Sequence, residues 1–323
     1  MRLVDANEAQ LRRWDEAVER SVNGTLFHRL DFLAYHGDRF ADCQRNLVLL
    51  DGEEPFAHLP MAVRDSNEGR EAVSPFGASF GSFAFTAVPT YARSAEAVGA
   101  LVEFLVAEGI ERCRLTPPIA CCAEQALDTF HFALLEAGFR SVNRDVSSVV
   151  PLPASGDVAS SVTSRARSTA KKARTAGVEV VRKAPIGDFW PVMEAGYVSR
   201  GRQPTHTRDE LELLEKTLSD RVFFDVATLA GAPVAGLAHF VVNERVDSSF
   251  YLCQDPAHAS TQALSLLVLE ALEHAAADGY RWFDFGTSTA AMVARPNVFL
   301  FKESFSRAGM FRETFEWTKE PGR

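Results

Sequence analysis

The chain repeats itself, and that limits its fold more than any single motif. LVEFLVAEGIERCRL (Leu101–Leu115) and ALEHAAADGYRWFDF (Ala271–Phe285) follow one plan: helix, glycine stop, then a strand three or four residues later. Gly109 and Gly279 align, as do Glu103 and Glu273. A helix that stops on Gly uses the left-handed conformation that only Gly adopts without a Cβ penalty. A second pair is GEEPFAHL (Gly52–Leu59) and GAPVAGLA (Gly231–Ala238), each a turn Gly, a Pro and the start of an alternating strand. The pieces keep the same order in both halves, so two copies of one mixed α/β lobe explain them most economically. Chance similarity between strand–turn–helix pieces is the alternative.

Local patterning fills in the elements. Helices are expected over Leu11–Val22, Thr25–His36, Ala95–Glu108, Cys122–Ala137, Ser160–Thr175, Phe189–Ser199, Arg208–Leu218 and Gln262–Ala277. Strands are expected over Asn46–Leu50, Pro55–Arg64, Arg112–Leu115, Val146–Leu152, Val178–Arg182, Val222–Leu229, Pro233–Asn243, Ser248–Cys253 and Trp282–Phe285. Two more close the chain, Phe299–Phe305 and Phe311–Trp317. Pro151, Pro153 and Gly156 mark a boundary, giving lobes 1–152 and 153–323, with the last strands able to pack back on the first lobe.

Bulk properties exclude several classes. A net charge of −9 argues against a chain coated by nucleic acid, because phosphate binding needs a positive surface. Phe occurs 24 times against 5 Tyr and 4 Trp, and a ring without a polar tip belongs in a core. Five Cys, at spacings of neither a zinc site nor a disulfide framework, read as reduced thiols. The eight His are dispersed, so no metal is expected. The N-terminus MRLVDANEAQLRRWDEAVER has no apolar signal core, and no apolar run approaches the ~20 residues that span a bilayer. The expected location is the cytoplasm, with no transmembrane segment. Gly-x-Ser-x-Gly, Walker and HExxH patterns do not occur.

Five stretches spread over the chain carry a family resemblance. They are GTLFHRLDFL (Gly24–Leu33), SPFGASFG (Ser74–Gly81), SRARSTAKKARTAGVEVV (Ser164–Val181), GYRWFDFG (Gly279–Gly286) and FKESF (Phe301–Phe305). In this order they resemble the FemAB family of aminoacyl- and acyltransferases. The resemblance implies an α/β (α+β) fold of two GNAT-like lobes, each a mixed sheet flanked by helices. Members of that family use aminoacyl-tRNA to extend peptidoglycan precursors, and relatives are assigned to polysaccharide, lipid or natural-product acylation. The resemblance gives Lys302, in the FK motif, a role in stabilising the transferring group. It also puts an arginine of YVSRGRQPTHTR (Tyr197–Arg208) against the diphosphate of the acceptor. Where some members carry a phosphate-contacting Lys, this chain has His36. No stretch is long enough for the coiled-coil arm of tRNA-dependent Fem enzymes.

The residues themselves speak to donor and acceptor. Acetyl-CoA enzymes of the GNAT fold hold pyrophosphate on a Q/R-x-x-G-x-G/A loop, where glycine lets backbone N–H groups approach the phosphates. The corresponding QDPAHASTQAL (Gln254–Leu264) has no Gly, nor does any position between Gly236 and Gly279. CoA is therefore disfavoured, no resident cofactor is expected, and the donor expected is aminoacyl-tRNA or another acyl carrier. Arg167, Lys171 and Arg174 share one helix face by their i, i+4, i+7 spacing. They read as a grip on tRNA or a phosphorylated acceptor, or else as a solvated face. The guanidinium forks of Arg200 and Arg202 suit phosphate oxygens, with His206 beside them as a further substrate contact; exposed loop residues are the alternative.

On the central strands His239, Tyr251 and Asp255 are candidates to face a cleft, His239 as a base near neutral pH. Core burial of His239 and a turn role for Asp255 are the alternatives. Thr287 and Ser288, in the GTST run after a strand end, lie where ligands bind in α/β sheets. Read as a strand, Phe299–Phe305 turns Lys302 away from its Phe-rich face. The expected function is transfer of an aminoacyl or acyl group from a carrier to an amine. The acceptor would be a phosphorylated cell-envelope precursor, a polysaccharide or a secondary metabolite. A CoA-dependent N-acyltransferase with a degenerate phosphate loop and a non-catalytic GNAT-fold binding protein stay open.

Overall fold

The computed structural model describes residues 1–67, 69–154 and 157–319. It has two compact units, Met1–Asp145 with Phe311–Arg323, and Val146–Met310. Gly156, part of the boundary inferred above, lies outside the described residues.

The first unit runs β1 (Arg2–Asp5), α1 (Glu8–Arg12), α2 (Trp14–Glu19), α3 (Leu30–Leu33), β2 (Gln44–Asp51), β3 (Glu54–Ser66), β4 (Gly69–Val73), β5 (Ala84–Phe85), α4 (Tyr91–Ala107), β6 (Arg112–Leu115), α5 (Asp128–Glu136) and the start of β7 (Arg140–Pro151). The second takes the rest of β7, then α6 (Val158–Ser161), α7 (Ser164–Thr175), β8 (Val178–Val181), α8 (Ile186–Val198), α9 (Arg208–Thr217), β9 (Val222–Leu229), β10 (Ala232–Phe240), β11 (Val246–Gln254), α10 (Ala263–Ala277), β12 (Trp282–Thr287), β13 (Thr289–Ala290), β14 (Val293–Ala294) and α11 (Pro296–Lys302). β15 (Ala308–Thr318) then carries the chain into the first unit. There it pairs antiparallel with β6.

One topology occurs twice. In the first unit β2, β3 and β4 run antiparallel, α4 follows, and β6 lies parallel to β4. In the second β9, β10 and β11 run antiparallel, α10 follows, and β12 lies parallel to β11. The aligned glycines have aligned roles: Gly109 follows α4 at φ +66° and Gly279 follows α10 at φ +91°. The next N–H closes each helix, from Ile110 to the Leu105 carbonyl and from Tyr280 to the Ala275 carbonyl. Gly52 and Gly231 take φ +61° and +78° in the turns that open β3 and β10. Open space surrounds Gly279. Gly279→Ala is therefore expected to cost about 1 kcal/mol from backbone strain alone. Denaturant unfolding checks this; an unchanged midpoint would mean that the residue does not need the left-handed region.

Helices cover both faces of each sheet. In the first unit Leu101, Leu105 and Leu134 pack on Leu47, Leu59 and Met61. On the other face Trp14 and Val18 of α2 cover Val48 and Leu50. In the second, Ala170 of α7 and Leu266 of α10 belong to one core with Leu237, Leu252 and Phe283. α8 covers the opposite face, where Phe189 stacks on Phe224 at 4.6 Å. A Cβ at Gly236 would come within 2.7 Å of that Phe189 ring.

Three helical expectations change. Leu11–Val22 is two short helices, α1 and α2, and α1 starts early because Asn7 and Gln10 form a capping box. Thr25–His36 is one turn of α-helix between two 3₁₀ segments, and Cys122–Ala137 keeps its α-helix only over Asp128–Glu136. The larger correction is at Phe299–Phe305, which is not a strand. Pro296 sits in the first turn of α11, with its φ already set for a helix. Phe301 meets Phe305, four residues on, at 5.5 Å between rings. Lys302 is consequently the last residue of a helix. Among the described residues no helix is long and apolar enough to cross a membrane.

Candidate functional site

The sheet of the second unit opens at one end. Parallel β11 and β12 pair through Val246–Ser248 and Trp282–Asp284 and, among the described residues, no further. Yet β11 continues to Gln254 and β12 to Thr287. The strands therefore part toward their C-terminal ends, the place where open α/β sheets bind ligands. A bulge lies at the parting: Ala238 faces Tyr251 and His239 faces Ser249, which leaves Phe250 as the extra residue.

Lys302 closes the end of β12. It is only 7% exposed, and its Nζ donates to the carbonyls of Gly286 at 2.8 Å and Thr287 at 3.0 Å. Thr287 thus contributes its main chain to this lysine. Gly286 takes φ +70°, and its N–H donates to Asp284 Oδ1 at 2.8 Å. Burial pulls the Lys302 pKa down to about 8, against the opposing pull of the Asp284 carboxylate, while Arg295 adds to the lowering. At pH 7 the group remains an ammonium with three N–H donors, two of them held by carbonyls. Ser288, next after Thr287 in sequence, is buried, with its Oγ 2.6 Å from Ser148 Oγ.

A second cluster sits on the α8 side of β11. Tyr251 is buried, its oxygen 2.7 Å from His206 Nδ1 and accepting the His206 backbone N–H at 3.1 Å. Burial pushes the phenol pKa up. Tyr197 of α8 meets Tyr251 edge-on at 6.0 Å. Arg200 and Arg202 are exposed just after α8, both backbone N–H groups donating to the Tyr197 carbonyl. His206 is thus a buried residue, not a surface one.

Other candidates lie elsewhere. His239 lies in the core on the α10 side, 2% exposed and stacked on Phe223 at 4.3 Å. Its Nδ1 is 2.7 Å from Asp247 and its Nε2 is 3.2 Å from Asp225. Burial pushes its pKa down, but the two carboxylates outweigh that and hold it at about 9. Asp255 caps the 3₁₀ turn Pro256–Thr261, accepting the Ala257 N–H at 2.9 Å. Gln262 then leads into α10 at φ +61°, a conformation more often given to glycine. On α7, Ala166, Ala170 and Ala173 are buried, while Arg167, Lys171 and Arg174 are exposed. Arg167 reaches the carbonyls of Ala159 and Val162, and Arg174 pairs with Glu270 at 2.9 Å. His36 belongs to the first unit, its Nδ1 3.1 Å from the Leu33 carbonyl and its ring beside Gly77. Among the described residues no group of His, Cys, Asp and Glu is arranged to hold a metal ion.

Sequence reasoning selects Lys302 but not its cradle. Gly286 and Asp284 stand in the same GYRWFDFG stretch, and alternation in β12 sets Asp284 on the face opposite Phe283 and Phe285. That lone acid in an aromatic strand is the signal that points to it.

Residues 160–292 match the model of the acetyltransferase (GNAT) domain. That span holds α7, the parted strands β11 and β12, and α10 between them. This part of the chain is similar to a GNAT domain. The whole chain is similar to the crystal structure of FemX, with a TM-score of 0.73, 11% identity and coverage of 99% of this chain and 98% of that one. It is also similar to a domain assigned to a lysylphosphatidylglycerol synthetase from Agrobacterium fabrum, at TM-score 0.60, 15% identity and coverage of 97% and 93%. A tandem GNAT protein from the clavulanic acid pathway gives a TM-score of 0.53, 12% identity and coverage of 100% and 99%. At such identities the likeness establishes the fold, two GNAT-like units in one chain. None of the curated proteins matches the sequence.

Proposed function

We propose that the chain transfers an aminoacyl group from aminoacyl-tRNA, or a related carrier, to an amine of a cell-envelope precursor, polysaccharide or secondary metabolite. The observation that carries this reading is Lys302, a buried ammonium at the ends of parted parallel strands. The acceptor nitrogen attacks the ester carbonyl, a C–N bond forms, and the carbonyl oxygen becomes an oxyanion. The bond to the carrier oxygen then breaks, and that oxygen takes the proton the amine gives up. The remaining N–H of Lys302 meets the developing charge where water is scarce, and the cradle fixes its position beforehand. Support for the donor comes from the loop before α10, which has no glycine and makes its turn with Gln262. The similar folds of FemX and of a protein named for joining lysyl to phosphatidylglycerol agree with it. Lys171 and the exposed Arg200 and Arg202 would meet phosphates of carrier or acceptor.

A CoA thioester is the second reading, favoured by the acetyltransferase description of the matching domain. Thermal unfolding with aminoacyl-tRNA, deacylated tRNA and acetyl-CoA separates the two. Aminoacyl-tRNA is expected to raise the midpoint beyond deacylated tRNA. Stabilisation by acetyl-CoA alone would replace the donor, and stabilisation by none of the three would remove the tRNA donor.

A further inference from the structure

The first unit contains a cavity of about 510 Å³ that none of this chemistry uses, lying between α1–α2 and the start of β3. Its volume is that of a small-molecule site. Local structure explains the space. The helix breaks at Arg13, so Trp14 and Val18 turn inward to the sheet, while Arg13, Glu16 and Arg20 turn to the cavity. Opposite them, Glu54 and His58 of β3 form the other wall.

His58 is the unusual member. It is 3% exposed, and its Nδ1 is buried with no hydrogen-bond partner. Trp14 meets the ring edge-on at 4.9 Å, which supplies packing but no acceptor or donor for that nitrogen. Burial pulls its pKa down to about 4, so the ring is neutral at pH 7, with one donor and one acceptor nitrogen. A buried polar group normally finds a partner, and this ring stands in the cavity wall with one nitrogen enclosed by protein and lacking one.

The rim states what kind of ligand. Glu16 sits between Arg13 at 3.8 Å and Arg20 at 2.6 Å, so that side keeps one uncompensated positive charge. Glu54, across the cavity, is in none of the described ion pairs and keeps its negative charge. The two sides are thus of opposite sign with a neutral imidazole between them. We propose that this cavity binds a small zwitterion, an amino acid or short peptide with free ends. Its carboxylate meets Arg13 and Arg20, its ammonium meets Glu54, and the part between them lies against the His58 ring in the wall. The site needs no residue assigned to acyl transfer.

The probe is L-alanyl-L-alanine, added to the full chain carrying isotope-labelled histidine, with the His58 ring signals assigned from His58→Gln. A saturable shift of those signals is expected. N-acetylated and C-amidated forms of the dipeptide should bind at least about tenfold more weakly, since each removes a charged hydrogen-bonding end. Arg20→Met and Glu54→Gln, both at the exposed rim, should weaken binding similarly without moving the unfolding midpoint. They keep the test decisive if His58→Gln fails to fold. Absence of any shift at millimolar dipeptide overturns the proposal. So does a shift that persists with both blocked forms and in both rim variants.

Discussion

Lys302→Met is expected to lower kcat by about 10²–10³-fold, the usual cost of losing one preorganised oxyanion donor. Met preserves the unbranched stem and deletes the ammonium. The deletion also leaves the Gly286 and Thr287 carbonyls without their donor, so unfolding free energy should fall by about 1–3 kcal/mol. Single-turnover transfer on the bound donor, with a thermal midpoint beside it, separates the two effects. The pH dependence has a definite sign. The ammonium is the active form, and the Lys302 pKa is near 8, so the rate should hold below pH 8 and fall as pH rises through it. Normal turnover in the folded variant would remove Lys302 from the mechanism. Failure to fold would recast it as a structural residue.

How much of this is legible in the sequence depends on the distance over which each feature is decided. The repeat is legible because Gly109 and Gly279 end their helices locally, and the same local grammar sets the strands around them. α11 is not, because Phe299, Phe301 and Phe305 satisfy a period of two as well as the Phe301–Phe305 step satisfies a helical turn. Pro296 is the signal that decides for the helix. His239 is harder still. Its partners lie 8 and 14 residues away on neighbouring strands, and alternation says which face it takes but not what covers that face. His58 offers no signal at all, since β3 is buried continuously from Ala57 to Val63. Parted strands, cavities and unpartnered nitrogens are products of tertiary packing, and no spacing of residue types encodes them alone.

The largest stability effect should come from His239. Asp225 on β9, His239 on β10 and Asp247 on β11 place three ionisable groups side by side across three strands, all 2% exposed or less. The Lys183 N–H donates to the other Asp225 oxygen at 3.0 Å. Burial pushes the Asp225 pKa up, but the bond to His239 outweighs it and the net shift is downward. His239→Leu fills much of the volume, deletes the cation and leaves two carboxylates facing each other in the core. Breaking a buried ion pair in this way costs about 3–5 kcal/mol. Linkage gives the sign of the pH dependence. His239 is raised from 6.5 to about 9, so its contribution is complete below pH 6.5 and lost as pH rises through 9. Asp225 is lowered from 3.8, so its contribution is present above pH 3.8 and lost as pH falls through the depressed folded value. The parent should therefore lose stability between pH 6.5 and 9, and the difference between parent and His239→Leu should shrink over that interval. Replacing all three groups, as Asp225→Asn, His239→Leu and Asp247→Asn, should recover most of the loss, because the uncompensated charge goes with the cation. Urea unfolding at pH 6 and pH 9.5 reads both effects. A single variant as stable as the parent would mean that the cluster contributes nothing. A triple variant no better than the single one would assign the loss to packing on Phe223 instead of to charge.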